Sequence, residues 1–223
     1  MAISFDSVTS ATITLGTNTW PSAHTCAGTN RYVFVAFDDG QSSTVNNITN
    51  VTYDGVAMTK IRENPNVSNG VDILSVWGLS NPNTTANATI SWSSTTNATQ
   101  GVFCTSYTGV NQNSTPDNSS GATATGSGGA ASPLSISITP VASSWVVLFT
   151  NANAALTAAT NLTTRMASNS FGNYTGDSNA NATGGSSFTQ TASYSGNTQW
   201  SAIQVSITTP VVAVANGNFL RFM

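Results

Sequence analysis

The sequence predicts an all-β protein, an antiparallel two-sheet β-sandwich of jelly-roll-like form with about ten to twelve strands. Segments in which apolar and polar residues alternate recur along the whole chain, and β-branched and aromatic residues dominate them. Turn residues such as Gly, Pro, Asn and Asp bound these segments. No stretch sustains a convincing helical period. These three observations together favour the all-β class.

The strand pattern is found in segments 3–14, 31–37, 48–53, 56–62, 71–78, 88–93, 101–108, 134–139, 145–150, 163–167, 187–194 and 199–208. Most of them alternate cleanly, which is typical of sheets with one wet face. Residues 32–37 and 145–149 are instead apolar on both faces. We therefore expect these two strands at sheet centres, covered on each side. Short links between segments favour antiparallel pairing, because parallel crossovers need a dozen or more residues.

Several connections have a specific sequence cause. The Asp54-Gly55 pair lies between two alternating runs and predicts a tight hairpin. Asp38-Asp39-Gly40 is expected to end a strand in a similar way. The prolines expected in connections, where a missing N–H costs no ladder bond, are Pro65, Pro82, Pro116, Pro140 and Pro210.

The domain prediction is one sandwich over residues 1–210, followed by a distinct segment over 211–223. Residues 111–132 are polar and rich in Gly and Ala, which predicts a long loop or a linker near the middle of the chain. Residues 151–161 contain five Ala and are the one candidate for a short helix, with a loop as the equal alternative.

Charged residues make up only 6% of the chain, against about 25% in ordinary domains. The formal net charge is -3, and there is a single histidine. Enzymes usually gather several ionisable groups in one cleft, so this composition argues against catalysis. It also gives no basic footprint for nucleic acid or for a membrane surface. We therefore expect no enzyme activity, no cofactor, no nucleic acid partner and no membrane partner.

The chain begins without the basic and apolar regions of a signal peptide, and no apolar run is long enough for a transmembrane helix. This start favours synthesis in the cytoplasm. Cys26 and Cys104 lie far apart without metal-like spacing, so free, buried thiols are favoured, while a disulfide between them stays open.

Residues 28–110 contain an ordered set of local motifs. They are NRYVFVA at 30–36, ITNVTYDGVAMT at 48–59, VWGLSNP at 76–82 and GVFCTSYTGV at 101–110. This order resembles a β-sandwich domain of bacteriophage virion proteins and large bacterial surface proteins, in which a V-T-Y-G-G hairpin, a W-x-L-x-N-P strand end and an S-Y-x-G-V strand recur. Asp54 departs from the pattern because it replaces the first glycine of the hairpin, a change that a type I′ turn accepts.

The resemblance continues loosely through residues 143–150 and covers about two thirds of the chain. Its motifs mark strand ends and turns, so they indicate a fold and supply no catalytic residue. In phage particles such a domain forms nearly a whole polypeptide. With no signal peptide, the resemblance implies a virion component assembled in the host cytoplasm, with other capsid or tail subunits as partners and homo-oligomerisation expected.

The residues allow a few chemical sites, each weakly. His24 with Cys26 or Cys104 would be the only nucleophilic dyad, and no nucleophile-elbow or cysteine-protease motif accompanies it. A hydrolytic carboxylate pair would combine Glu63 with one of the aspartates Asp6, Asp38, Asp39, Asp54, Asp72, Asp117 and Asp177. Asp38 and Asp39 lack calcium-loop spacing, and the Gly-rich run at 126–129 lacks the lysine of a phosphate loop. No catalytic or metal site is predicted.

Glycan recognition is the strongest alternative, because β-sandwiches bind sugars on exposed aromatic rings beside amide groups. The aromatic residues nearest polar loops or strand ends, and so the candidate platform, are Trp20, Trp92, Trp200, Tyr174 and Tyr194. The opposing interpretation is that tryptophan in a strand usually packs in a core.

The segment after Pro210 has two apolar pieces around an Asn-Gly turn. It is either a terminal strand or hairpin of this sheet, or an arm that docks on another subunit. The side chains that would dock are Val211, Val212, Val214, Phe219, Leu220 and Phe222.

The sequence thus predicts a non-enzymatic structural protein of the phage virion. A capsid decoration protein, a head fibre or a tail appendage would fit. A carbohydrate-binding adhesin module is the first alternative and a glycan hydrolase the second. The sequence does not distinguish head from tail, nor does it fix the oligomeric state.

Overall fold

The structure is a computed structural model that describes residues 2–13, 18–39, 48–64, 73–94, 100–113, 116, 118–124, 133–152, 156–167, 173–195 and 200–210. The described residues form strands, turns and bends without a helix, and every strand pair is antiparallel. The predicted all-β antiparallel class is confirmed. Residues 211–223, including the six proposed docking side chains, lie outside the described residues.

The first half of the chain contains nine strands. They are β1 (Ser4–Ile13), β2 (Thr19–Pro21), β3 (Tyr32–Asp39), β4 (Thr49–Tyr53), β5 (Val56–Ala57), β6 (Thr59–Asn64), β7 (Ile73–Ser80), β8 (Thr89–Ser93) and β9 (Gln100–Thr108). The second half contains eight. They are β10 (Asn118–Ala124), β11 (Leu134–Ile138), β12 (Ser144–Ala152), β13 (Leu156–Thr160), β14 (Thr163–Ala167), β15 (Tyr174–Asp177), β16 (Phe188–Tyr194) and β17 (Trp200–Thr208).

These strands form four sheets. The first inner sheet has the order β1-β9-β3-β7-β6, and the first outer sheet has the order β2-β8-β4-β5. The second inner sheet has the order β10-β17-β12-β15-β14, and the second outer sheet has the order β11-β16-β13. Each half of the chain therefore builds its own pair of sheets.

The two halves share one topology. In each half the first strand lies at an edge, the last strand lies beside it, and the third strand is central, as in β1-β9-β3 and β10-β17-β12. The outer sheets match in the same way, with β8 and β16 as their middle strands. With β6 set aside, the first half has the eight-stranded order of a jelly roll. The second half repeats it without a counterpart of β5. The chain is thus a tandem repeat of two jelly-roll units.

Two irregularities of the ladder recur in both units, whereas the bulge between Phe5 and Ser7 in the β1–β9 pairing has no counterpart in the β10–β17 pairing. A β-bulge interrupts the β6–β7 pairing between Lys60 and Arg62, and another interrupts the β14–β15 pairing between Thr164 and Met166. Bulges also occur in both the β4–β8 and the β13–β16 pairings. Such bulges bend a strand at a defined position. Their recurrence supports a structural equivalence of the two units beyond their strand order.

Cores lie between successive sheets, so the molecule is a stack of four layers. The first outer and inner sheets enclose a core that includes Val35, Phe37 and Ile90. The two inner sheets enclose the central core, where the rings of Phe34 and Phe149 lie 5.4 Å apart between centroids. Two further clusters lie between the second inner and outer sheets. The inner sheets are therefore apolar on both faces.

The two strands predicted to be covered on both sides are the central strands of these inner sheets. In β3, Val33 and Val35 face the first outer sheet, while Phe34 and Ala36 face the second inner sheet. All nine residues of β12 are buried. The prediction for residues 32–37 and 145–149 is confirmed.

Several details of the sequence prediction are corrected. The described residues form seventeen strands in four sheets, where about ten to twelve strands in two sheets were expected. The proposed single sandwich of residues 1–210 contains two sandwich units. Strand β10 occupies part of the predicted loop at 111–132 and pairs with β17. Strand β13 replaces the helix or loop considered at 151–161, because pairing with β16 overrides the local alanine content.

The predicted Asp54-Gly55 turn and the predicted positions of the described prolines agree with the structure. Asp54 and Gly55 form the two-residue link between β4 and β5, with positive φ angles of 49° and 78° as a type I′ turn requires. The expected strand end at Asp38-Asp39 is wrong, because strand β3 continues through both residues, which pair with Leu74 and Ile73; Gly40 is not among the described residues. Pro82, Pro140 and Pro210 lie outside the strands, as does Pro116, whereas Pro65 is not among the described residues.

Truncation of Phe149 to Ala is expected to lower the free energy of unfolding by about 3–5 kcal/mol, because it leaves a cavity between the two inner sheets. Urea unfolding at neutral pH measures the change. Val141→Ala is the matched control: Val141 is 51% exposed, so its loss should stay within about 0.5 kcal/mol. Similar losses for the two variants would contradict a central core at this position.

Candidate functional site

The five aromatic side chains proposed as a glycan platform are buried. Their relative exposures are 8% for Trp20, 4% for Trp92, 6% for Trp200, 0% for Tyr174 and 5% for Tyr194. Trp92 packs against Phe37 with ring centroids 5.1 Å apart. The expectation of an exposed ring is therefore wrong for all five. The physical reason is that these positions at strand ends still point into cores between layers.

The polar tips of the buried tyrosines are satisfied inside the protein. The Tyr194 hydroxyl lies 2.7 Å from Thr150 Oγ1, and the Tyr174 hydroxyl lies 2.8 Å from Thr164 Oγ1. Burial raises the pKa of Tyr194 to about 12, although the hydrogen bond with Thr150 opposes the shift. These hydroxyls fix the packing between strands.

His24 is fully buried in the first unit. Its Nδ1 lies 3.2 Å from Thr9 Oγ1, and its ring meets the Tyr53 ring edge-on at 6.4 Å. Desolvation lowers the pKa of His24 to about 4, against the opposing effect of Asp6. The imidazole is therefore neutral at physiological pH and is closed off from substrate.

The two cysteines are free and buried, as favoured by the sequence. Cys26 Sγ lies 3.3 Å from the Tyr53 hydroxyl. Burial raises the pKa of the Cys26 thiol despite hydrogen bonds with Tyr53 and Ser106, and burial raises the pKa of Cys104 well above its usual value. Neither thiol is poised as a nucleophile, because the thiolate is the reactive form.

Most carboxylates of the described residues have structural partners. The pairs are Asp6 with Ala27 N and Ser106 Oγ, Asp38 with Asn151, Asp54 with Asn83, Glu63 with Lys60, and Asp177 with Arg165. Within the described part of the chain, no cluster of three or more His, Cys, Asp or Glu residues has the arrangement of a metal site. Asp38 and Asp177 contact groups of the facing inner sheet, whereas Glu63 and Lys60 pair on the surface of one strand.

One polar contact lies where the two units meet. Asn151 Nδ2 donates to Asp38 Oδ1 at 2.9 Å, and both side chains are buried. Asp38 pairs with Gly101 across the β3–β9 ladder, and Asn151 pairs with Ser201 across the β12–β17 ladder. The two residues thus occupy equivalent positions in the two units. Their contact therefore joins the two units through equivalent positions of the central strands β3 and β12.

A second polar contact between the inner sheets is made by Asp177, which forms a salt bridge within the second inner sheet. Arg165 Nε donates to Asp177 Oδ2 at 2.7 Å and Arg165 Nη2 to Asp177 Oδ1 at 2.9 Å. The Tyr107 hydroxyl donates to the same carboxylate at 3.0 Å, and the Arg165 guanidinium lies 4.4 Å from the Phe5 ring centroid. Bidentate pairing holds the completely buried Asp177 with a defined geometry.

The corresponding position in the first unit is apolar. The register of β6, β7, β14 and β15 makes Ile61 the counterpart of Arg165 and Gly78 the counterpart of Asp177. A Cβ atom at Gly78 would meet the Tyr32 hydroxyl, so this space is already filled. The same position is therefore filled by apolar packing in the first unit and by an ion pair in the second unit. Because charged residues are rare in this chain, Arg165 and Asp177 could have been noticed in the sequence. The sequence alone, however, does not show that these two residues pair with each other.

A surface recess of about 360 Å³ lies where the two units are joined. It is lined by Asn30, Asn111, Gln112, Asn113 and Pro210. Asn111 N donates to Thr208 O at 2.8 Å, which connects the link between the units to the end of β17. The lining offers neutral amide donors and acceptors and contains no titratable side chain. Sequence reasoning missed this recess because its residues come from separate loops.

The edge of β1 is the second surface feature near this link. Among the described strands, β1 pairs only with β9. Ser4, Ser10 and Thr12 are exposed along it. Gly109 lies against Ala2, so the link between the units also touches the beginning of β1. The recess and the β1 edge form the candidate interaction region.

No family model, curated protein or solved structure matches this chain. Among the described residues there is no helix with the length and hydropathy that crossing a membrane requires.

Replacement of Asp177 by Asn is expected to lower the free energy of unfolding by about 3 kcal/mol or more, because it leaves the partly buried Arg165 without its carboxylate. The double variant Arg165→Ile/Asp177→Asn should lose less than the sum of its single variants, since the first unit has Ile61 at this position. A double-mutant cycle by urea unfolding measures the coupling. Strict additivity would show that the pair contributes no coupling energy.

Acid is expected to destabilise the chain through His24. Because burial depresses the pKa in the folded state from 6.5 to about 4, the unfolded state binds more protons between these values, and stability falls by about 3 kcal/mol as the pH drops through this window. Urea unfolding at pH 4 and pH 7.5 measures this slope. His24→Gln should remove its contribution. An unchanged slope in that variant would assign the acid sensitivity to other groups.

Proposed function

We propose that the chain is a non-enzymatic structural protein of a bacteriophage virion that acts through subunit interfaces. A capsid decoration protein, a head fibre or a tail appendage fits this role. The observation that carries the proposal is the structural use of the ionisable groups. His24 and both thiols are buried, and most carboxylates of the described residues are bonded to other groups of the protein.

The fold supports this role without defining it. Jelly rolls occur in viral capsid proteins and in lectins, and a fold alone does not fix a function. The motifs that resemble phage virion domains lie at residues 28–110, within the first jelly-roll unit. The fold and the local motifs are therefore both compatible with a role in virion assembly. Catalysis would instead need a cleft with accessible ionisable groups.

The low charge of the chain suits close subunit packing. Few ionic groups would have to lose water on contact, and Ser, Thr and Asn can form neutral hydrogen bonds across an interface. Residues 211–223 supply the apolar side chains that such an interface would bury. We propose that they form a docking arm of the assembled protein.

Assembly is expected to survive high ionic strength. Apolar burial and neutral hydrogen bonds are screened little by salt, whereas exposed ion pairs are screened strongly. Light scattering of the purified chain in 0.1 M and 1 M NaCl should give the same mass. Dissociation caused by salt alone would contradict interfaces of this kind.

The role itself is tested in particles from the organism that encodes the chain. Particles purified on a density gradient should contain the chain in a fixed stoichiometry by mass spectrometry. Replacement of residues 211–223 by a Gly/Ser segment of equal length should leave a folded protein that is lost from the particles. Absence of the unmodified chain from purified particles would refute the proposal.

A second candidate function is carbohydrate binding, favoured by the amide-lined recess. Asparagine and glutamine side chains suit the hydroxyl groups of a neutral sugar. A glycan array should then give binding that Asn113→Ala weakens at least tenfold, while Ser135→Ala on the second outer sheet leaves it unchanged. An array without binding would remove this candidate.

A further inference from the structure

Strand β1 is the longest edge strand of the described sheets, and its ladder has one β-bulge, between Phe5 and Ser7. Strand β1 runs for ten residues from Ser4 to Ile13 and contains neither proline nor lysine. Its one charged residue, Asp6, already accepts hydrogen bonds from Ala27 N and Ser106 Oγ. The pairing with β9 is regular from Ser7 to Ile13, and a long edge of this kind without proline or lysine readily adds another strand.

Three other edges carry features that normally prevent strand addition. Strand β6 presents Lys60 and Glu63, which form a salt bridge at 2.7 Å. Strand β2 has only three residues and includes Pro21, and β5 has only two residues. These features block or shorten a template for pairing. The edge strands β10, β11, β13 and β14 have seven residues or fewer. Strand β1 therefore offers the longest template for an added strand among the described edges.

The described chain ends near the beginning of this edge. Gly109 touches Ala2, and Asn111 N bonds to Thr208 O beside the recess that contains Pro210. Thirteen residues follow Pro210. At about 3.3 Å per residue, they span roughly 43 Å when extended, more than the roughly 33 Å of β1. The segment is therefore long enough to cover the whole edge.

Direction and charge distinguish the molecule's own edge from that of a second copy. Leaving Pro210 beside the start of its own β1, the segment would run parallel to that strand and carry Arg221 away from Asp6. On a second copy it can enter from the Ile13 end and run antiparallel, which brings Arg221 toward Asp6. Arg221 is the only charged residue after Pro210, and Asp6 is the only one in β1. Opposite charges on paired strands favour the antiparallel arrangement.

We propose that residues 211–223 of one copy add as an antiparallel strand to the β1 edge of a second copy, with the exchange made reciprocally. The proposal rests on the assembly role given above and names the surface that receives the arm. It requires no virion partner, so the purified chain alone tests it. Main-chain hydrogen bonds would supply affinity, and the alternating apolar side chains of the arm would supply fit.

Cysteine pairs test the direction of the arm. Antiparallel pairing with Arg221 beside Asp6 places Ala215 opposite Thr12. Parallel pairing on the same molecule that begins with Val211 opposite Ser4 would place Phe219 opposite Thr12 instead. Under mild oxidation, Thr12→Cys/Ala215→Cys should give a covalent dimer on a non-reducing gel, and Thr12→Cys/Phe219→Cys should not. The unmodified chain is the control, because Cys26 and Cys104 are buried. A disulfide within one chain in the second variant would overturn the exchange.

Edge variants test the receiving surface. Light scattering should give twice the chain mass for the unmodified protein, and the mass of one chain for Ser10→Lys/Thr12→Lys and for a chain ending at Pro210. Thr89→Lys/Ser93→Lys, which places the same charges on exposed positions of the middle strand β8, should stay dimeric. Circular dichroism confirms folding of each variant.

A monomeric unmodified chain, or a dimer that tolerates both edge lysines, would overturn the inference. The outcomes separate it from the proposed function. Virion particles that contain a chain without cross-linked arms would keep the function and reject this interface. Cross-linked dimers of a chain that is absent from virion particles would keep this interface and reject the proposed function.

Discussion

Burial of both faces of the two inner sheets is the constraint on which the rest of this structure depends. Strands β3 and β12 can be apolar on both sides only because an outer sheet covers one face and the other inner sheet covers the second face. Each jelly-roll unit alone would expose one apolar inner face to water. At about 25 cal/mol per Å² of apolar area, that exposure would be costly. The two units therefore belong together in one chain.

The shared interface also explains where the few charges lie. In a chain with 6% charged residues, Asp38 and Asp177 are both buried. Asp38 meets its counterpart Asn151 between the units, and Asp177 joins Tyr107 of the first unit to Arg165 of the second. Buried polar pairs of this type fix the relative position of packed layers more than they add stability. The low charge of the chain as a whole leaves Ser, Thr and Asn as abundant neutral groups for protein contacts.

Sequence reasoning recovered the fold class because the strand signal is local. Alternation and β-branched residues marked twelve segments, and the apolar runs at 32–37 and 145–149 marked the sheet centres. It missed β2, β10, β13 and β15 because their residues carry little pattern of their own and are ordered by neighbouring strands. The repeat was also missed, because Ile61 and Arg165, or Gly78 and Asp177, share a position without sharing chemistry. The prediction of exposed aromatic rings was wrong because the burial of a residue such as Trp92 depends on tertiary packing, which a local pattern does not show.

Native-state hydrogen exchange is the most direct test of the packed inner sheets as one cooperative body. Amides of β3 in the first unit and β12 in the second should exchange through the same global opening, with equal free energies and equal response to denaturant. Two distinct opening free energies, with one unit exchanging while the other stays closed, would contradict the dependence of each unit on the face of the other.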